Sequence, residues 1–256
     1  MAVKVNIDGI LSDYKKAGGK TQFPDSLEKV LKFASKDKNI NSINHLAYLL
    51  ATSKAESDYS LERWEADYAC GDAGVRYKDK PCKSALNYYC STQGGKQNYC
   101  DGKPKDKRGL PYFGRGLIQI TWKDNYDRYG KKIGVNLVDN PEKIFIPENS
   151  YNVAVAYLKD KKGGDKKSTF DYVDENNLVK ARKSVNGGTR GLDEVNSAYD
   201  FWKNLLKKNK AKVVSVNSNK KIWIGVAVSV VTISVAVTLV YLYLKKTNKL
   251  PNFVKK

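Results

Sequence analysis

Between Ile222 and Leu244 the chain runs 23 residues without a charged side chain, bracketed by Lys220-Lys221 and Lys245-Lys246. As a helix such a run spans about 35 Å at roughly 1.5 Å per residue, slightly more than the roughly 30 Å hydrocarbon layer of a bilayer. Trp223 stands near one end and Tyr241 and Tyr243 near the other, where amphipathic rings favour the headgroup zone. No turn residue divides the run, and a core helix of that length normally shows a polar face. Residues 222–244 are therefore expected to cross a lipid bilayer once. This expectation divides the chain into a globular domain at 1–208, a polar linker at 209–221 (NKAKVVSVNSNKK), the span and a basic tail at 245–256. Six lysines in 206–221 face five in 245–256, so the charge rule for orientation selects neither topology.

The 256 residues carry 46 Lys and Arg against 27 Asp and Glu, a formal charge of +19. Five of those lysines lie beyond Leu244, which leaves 41 basic and 27 acidic residues, or +14, before the run. Such a field gathers polyanions: nucleic acid, anionic lipid or a charged wall polymer. A plain lysine-rich soluble surface accounts for it equally, so charge selects no partner. Apolar residues at 41% and aromatics at 11% exclude global disorder. Met1 to Gly9 lacks the apolar core of a secretory signal, and none is expected. Cys70, Cys82, Cys90 and Cys100 fall within 31 residues without a C-x-x-C pair, and the lone histidine, His45, lies outside them. A zinc ribbon is thus not indicated. The cysteines either staple one loop through one of three pairings or remain thiols. No metal or cofactor is called for.

The globular part reads as mainly helical. Asp25 stands three residues before Glu28, a capping-box start for one helix, and Asn41 precedes a second with Ile43, Leu46, Ala47 and Leu50 at helical spacing. His45 is expected on that helix's surface. From Asp67 to Leu110 the pattern dissolves into a long irregular loop of the kind that serves a site. Helical patterns return at 150–161, 176–185 and 192–206.

Three segments carry candidate chemistry. In LAYLLATSKAESDYSLERWEADY, residues 46–68, Glu56 follows apolar helical turns, and Glu65 comes nine residues later, past the helix. A carboxyl against an apolar wall holds its proton to higher pH. A facing pair of carboxyls is what glycosidic cleavage requires, one as acid and one as base or nucleophile. Two solvated surface glutamates fit the same spacing, and Glu62 is a local rival to Glu65. In PYFGRGLIQITWKDNYDRYGKKIGVNLVDNPEKI, residues 111–144, Gln119, Thr121 and Asn125 alternate with Ile118, Ile120 and Trp122. The alternation fits either a groove wall or a buried strand with a polar outer face. In KSVNGGTRGLDEVNSAYDFW, residues 183–202, Asn186-Gly187-Gly188 is a turn signal at a helix end.

Taken in this order, the segments resemble the glycoside hydrolase family 19 chitinases and the bacteriophage endolysins of the same lysozyme-like fold. The motif Y-x-G-R-G-x-I-Q-[LI]-[ST]-x-x-x-N-Y is met by Tyr112, Gly114, Arg115, Gly116, Ile118, Gln119, Ile120, Thr121, Asn125 and Tyr126, and N-G-G-T-x-G-L stands at 186–192. The resemblance implies a mainly α, α+β lysozyme-like fold, two-lobed, with a long irregular loop. It implies Glu56 as general acid and Glu65 as general base on a water held with Thr121. Tyr112, Arg115, Gln119, Asn125 and Asn186 become substrate-binding residues. Inverting pairs stand roughly 6.5–9.5 Å apart. The implied substrate is peptidoglycan or chitin, and the lipid bilayer is a partner through 222–244. No specific nucleic acid is expected. A membrane-held phage endolysin follows as the leading expectation, with a chitinase or an inactive wall-binding virion protein of the same fold as alternatives. The pattern is broken where Ala55 stands for a usual His, Asp58-Tyr59 for Gly-Gly, and Val195 for a frequent Arg.

Overall fold

The computed structural model describes residues 2–65, 82–90, 103–161 and 165–214. They form α1 (Ile7–Lys16), α2 (Pro24–Ala34), α3 (Ile43–Ser57), α4 (Lys83–Tyr89), α5 (Lys123–Ile133), α6 (Pro147–Lys159), α7 (Thr169–Asp174), α8 (Leu178–Asn186) and α9 (Leu192–Lys208). A 3-10 turn at Pro141–Phe145 precedes α6. Strands β1 (Ala2–Lys4) and β2 (Lys212–Val214) close an antiparallel two-stranded ribbon.

α3 is the central element. Ten of its 15 residues are buried, and α6, α7 and α9 pack around it. A helix apolar on most sides can only lie inside a protein. α9, its main neighbour, is amphipathic: Val195, Tyr199, Trp202, Leu205 and Leu206 are buried on one face. Trp202 stacks on Tyr14 of α1, with centroids 5.0 Å apart, and meets Tyr59 edge-on. Its Nε1 donates to the Tyr59 hydroxyl at 2.9 Å.

Several expectations need correction. α2 begins at Pro24 itself, and its N-cap Phe23 makes no side-chain cap, because proline is preorganised for the first helical position. α3 is capped by Ser42, whose hydroxyl accepts from the His45 amide at 3.0 Å, rather than by Asn41. His45 is not on the surface. It is 6% exposed, stacks on Phe170, and pairs through Nε2 with Asp174 at 3.0 Å. Within the expected linker at 209–221, Lys212–Val214 belong to the ribbon, and residues 215–221 lie outside the described residues. The long loop from 67 holds a helix, α4, although residues 66–81 and 91–102 lie outside the described residues. Cys82 and Cys90 each take part in a disulfide. Among the described residues no helix is long and apolar enough to cross a membrane. The expected span at 222–244 and the tail at 245–256 lie outside them.

Candidate active site

α3 delivers Glu56 at its C-terminal end and then stops abruptly. Asp58 and Tyr59 both take left-handed backbone, at φ 51° and 68°. That region disfavours side chains, most of all bulky ones. The turn is held from several directions. Gln22 donates its amide to Asp58 Oδ2 at 2.7 Å, Lys54 pairs with the same carboxylate, and Thr21 bonds the Asp58 carbonyl at 3.1 Å. Tyr59 is anchored through Trp202.

The Glu56 carboxylate meets a cation where an apolar wall was expected. Arg182 Nη1 lies 2.6 Å from Glu56 Oε1, with side chains 8% and 21% exposed respectively. The same guanidinium donates through Nε to the Arg190 carbonyl at 2.9 Å. Asn186 Nδ2 donates to that carbonyl too, and Asn186 Oδ1 accepts from the Gly188 amide. Gly187 and Gly191 adopt positive φ in this loop. Asn186 is thus exposed but tied into the 186–191 turn. Tyr157 and Tyr48 stand near Glu56; burial first of all pushes the Tyr157 hydroxyl up to about 12 and raises that of Tyr48 as well.

Glu65 is seated on the glycine-rich segment. Its amide donates to the Gly114 carbonyl at 2.7 Å, and its Oε2 accepts from the Gly114 amide at 3.1 Å. A Cβ at Gly114 would crowd Gln119 Oε1 at 3.1 Å and Glu65 Cβ at 3.3 Å. Residues 115–120 form a tight reversal, with Arg115 and Ile120 exchanging both backbone bonds. Gln119 (φ 51°) and Trp122 (φ 71°) are left-handed, so the alternation at 118–122 is a loop and not a strand. Gln119 Nε2 donates to the carbonyls of Arg63 at 3.0 Å and Gly116 at 2.8 Å. Thr121 is half-buried, and its carbonyl accepts from Asn125 Nδ2 at 2.8 Å.

One loop fastens both carboxylate-bearing segments. Ser57, next to Glu56, donates its hydroxyl to the Leu117 carbonyl at 2.8 Å. The Gly116 amide donates to the Arg63 carbonyl at 2.8 Å, and Gly114 holds Glu65. The remaining motif residues lie beneath this loop. Arg115 is fully buried, its guanidinium carbon 3.5 Å from the Phe113 ring centroid and Nη1 2.9 Å from the Tyr126 hydroxyl. Tyr112 is 4% exposed and donates to the Val138 carbonyl at 3.0 Å. Both thus shape the loop from inside. Glu62 instead borders a different cavity with Gln22, Phe23 and Pro147. A larger cavity of about 850 Å³ lies along α5 and residues 134–139 and includes neither Glu56 nor Glu65. Among the described residues no three His, Cys, Asp or Glu side chains gather to hold a metal.

Residues 64–175 match the family model described as chitinase class I, glycoside hydrolase family 19. The resemblance is to sugar-cleaving enzymes. That stretch includes Glu65, Tyr112, Arg115, Gln119, Thr121 and Asn125, while Glu56 and Asn186 fall outside it. A family-19 domain-containing protein of Haemophilus influenzae is 32% identical over 120 residues, 46% of this chain and 52% of that protein. The endochitinase CHI of Arabidopsis thaliana is 38% identical over 68 residues, 26% of this chain and 21% of its own. The chain therefore spans about half the length of the first relative and about a fifth of the second. Chitinase C of Streptomyces griseus HUT6037 aligns in structure over 83% of this chain and 97% of its own, at TM-score 0.47 and 18% identity. The family match and the chitinase relatives support a glycoside hydrolase.

The residue that sequence reasoning missed is Arg182. The expected arginine position after the Asn-Gly-Gly turn is Val195, fully buried on α9. The cation at Glu56 comes from α8, 126 residues along the chain.

Proposed function

We propose that this chain cuts β-1,4 bonds between N-acetyl sugars with inversion, Glu56 protonating the leaving oxygen and Glu65 activating the attacking water. The observation that carries this reading is the shared anchorage of two carboxylates. Ser57 ties the end of α3 to Leu117, and Gly114 seats Glu65, so the 114–119 loop fixes both. Fixed placement is what acid–base catalysis needs, because small displacements of either group cost rate steeply. Thr121 and Asn125 continue directly from that loop as its sugar-facing polar groups, and Asn186 marks the far rim.

The substrate in this proposal is peptidoglycan. The +19 charge, which by itself selects no partner, is compatible with a carboxylate- and phosphate-bearing wall. Residues 222–244 hold the enzyme in a membrane, the arrangement of a phage endolysin that opens its host's wall. The second reading is chitin, favoured by the endochitinases among the relatives.

Incubating the full chain with bacterial sacculi and with colloidal chitin, then weighing the released fragments by mass spectrometry, separates these readings. Sugar-cleaved muropeptides are expected, reduced about a hundredfold or more in Glu56→Gln with unchanged circular dichroism. Release from chitin alone moves the assignment to a chitinase. Release from neither makes the protein a wall-binding one.

A further inference from the structure

The two ends of the described domain meet in a lysine-dense face that the carboxylate pair does not use. The β1–β2 register sets Lys4 directly opposite Lys212, both exposed. Like charges facing each other across an antiparallel pair destabilise it. The pairing therefore favours an external counter-charge. Beside the ribbon, α9 ends on exposed Lys207 and Lys208, and exposed Lys210 follows. Asn209 and Lys208 both reach Asp13 Oδ2, at 3.1 and 3.2 Å, which brings α1 alongside. α1 itself ends on exposed Lys15 and Lys16.

The lysines at the two helix ends complement the negative ends of the helix dipoles, so part of the cluster has an internal cause. Lys4, Lys210 and Lys212 have no such cause. The acids here do not balance the face. Lys208 and Asn209 hydrogen-bond the Asp13 carboxyl and hold it below its ordinary value, so it is already engaged. Asp8 is the other acid of α1.

We propose that this face docks on an anionic lipid surface, through headgroup phosphates and carboxylates. A lipid surface is favoured over a soluble polymer because the chain leaves the domain from this face. β2 ends at Val214, and the uncharged run Ile222–Leu244 begins after seven further residues. This choice of occupant rests on the proposed membrane-spanning reading of 222–244, since basic residues of a membrane-held domain gain from anionic headgroups within about a Debye length. The proposal uses none of the residues assigned to sugar cleavage and stands whether or not that assignment does.

The test is lysine acetylation footprinting of the full chain on phosphatidylcholine vesicles, with and without phosphatidylglycerol. Labelling of Lys15, Lys16, Lys207, Lys210 and Lys212 is expected to fall about fivefold or more on the anionic vesicles and to recover in high salt. Lys123, Lys143 and Lys183, exposed on other elements, serve as controls and are expected to stay labelled. Equal labelling on both vesicles overturns the proposal, as does a uniform drop over all lysines. Equal protection by soluble teichoic acid without vesicles also overturns it, and names a polymer as the occupant.

Discussion

Arg182 performs two tasks with one guanidinium. Its Nη1 holds Glu56, and its Nε holds the carbonyl of Arg190 in the Gly-rich turn after α8. The planar guanidinium presents these donors on separate nitrogens in a fixed fork, whereas a lysine ammonium offers all of its donors from one point on a flexible stem. Arg182→Lys is therefore expected to fold and still lose about tenfold or more in turnover on sacculi, because Glu56 and the turn are no longer held together. Arg182→Ala leaves the carboxylate partly buried without its cation, and is expected to cost about 2 kcal/mol in urea unfolding. Near-wild-type turnover in the lysine variant removes the positioning role. The contact escaped sequence reading because its partners are 126 residues apart and no local pattern marks either. The helix end between Glu56 and Glu65 was legible because the apolar pattern breaks there. Tyr59 makes a second case. It tolerates φ 68° because its buried ring and hydroxyl engage Trp202. Tyr59→Phe strands the Trp202 N–H, with an expected loss of about 1–3 kcal/mol in thermal or urea melts and little effect on catalysis.

Between elements, α5 and α6 are clamped by a nearly buried carboxylate. The Asp160 side chain, 5% exposed, accepts from Arg128 at 2.5 Å, Lys132 at 3.1 Å and Tyr129 at 3.1 Å. Burial alone pushes its pKa up, but the bonds from Arg128, Lys132 and Tyr129 outweigh that and hold it below 3.8. A carboxyl whose folded pKa lies below its unfolded one stabilises fully above the unfolded value and loses that contribution as pH falls through the folded one. Asp160→Asn is accordingly expected to destabilise by about 1–3 kcal/mol at pH 7. The gap to wild type should shrink on acidification below about pH 4. A pH-independent gap, read from urea midpoints at pH 7, 5 and 3, excludes the ionised clamp. The long helices α3 and α9 were readable from the spacing of their apolar residues. α1 and α5 were not, because each is short and buries few residues, Ile10 and Tyr14 in one and Tyr126, Tyr129 and Gly130 in the other. The ribbon was invisible for another reason. Its strands have three residues each, from opposite ends of the domain, and pairing over that separation leaves no local signal. Of the two readings open for the alternation at 118–122, the strand fails because alternation is shared by strands and by tight reversals with left-handed residues.

At the scale of the whole molecule, charge and catalysis are separable. The carboxylates are fixed by hydrogen bonds to one loop, while the excess of 46 basic over 27 acidic residues acts at long range. Such a field raises the encounter rate with an anionic substrate and is screened by salt, whose Debye length falls from about 10 Å at 0.1 M to about 3 Å at 1 M. For an uncharged oligosaccharide the same field does nothing. Full-chain protein assayed on sacculi is thus expected to show KM rising about tenfold or more from low to high salt with kcat nearly constant. On neutral N-acetylglucosamine oligomers, both constants should hold steady over that range. Matching salt profiles on the two substrates remove the electrostatic argument for a wall polymer and leave chitin the better-supported substrate. Salt that lowers kcat on both, by contrast, acts on a contact of the protein itself, and the Glu56–Arg182 ion pair is the one the proposed mechanism depends on, so Arg182→Lys should then lose that salt dependence.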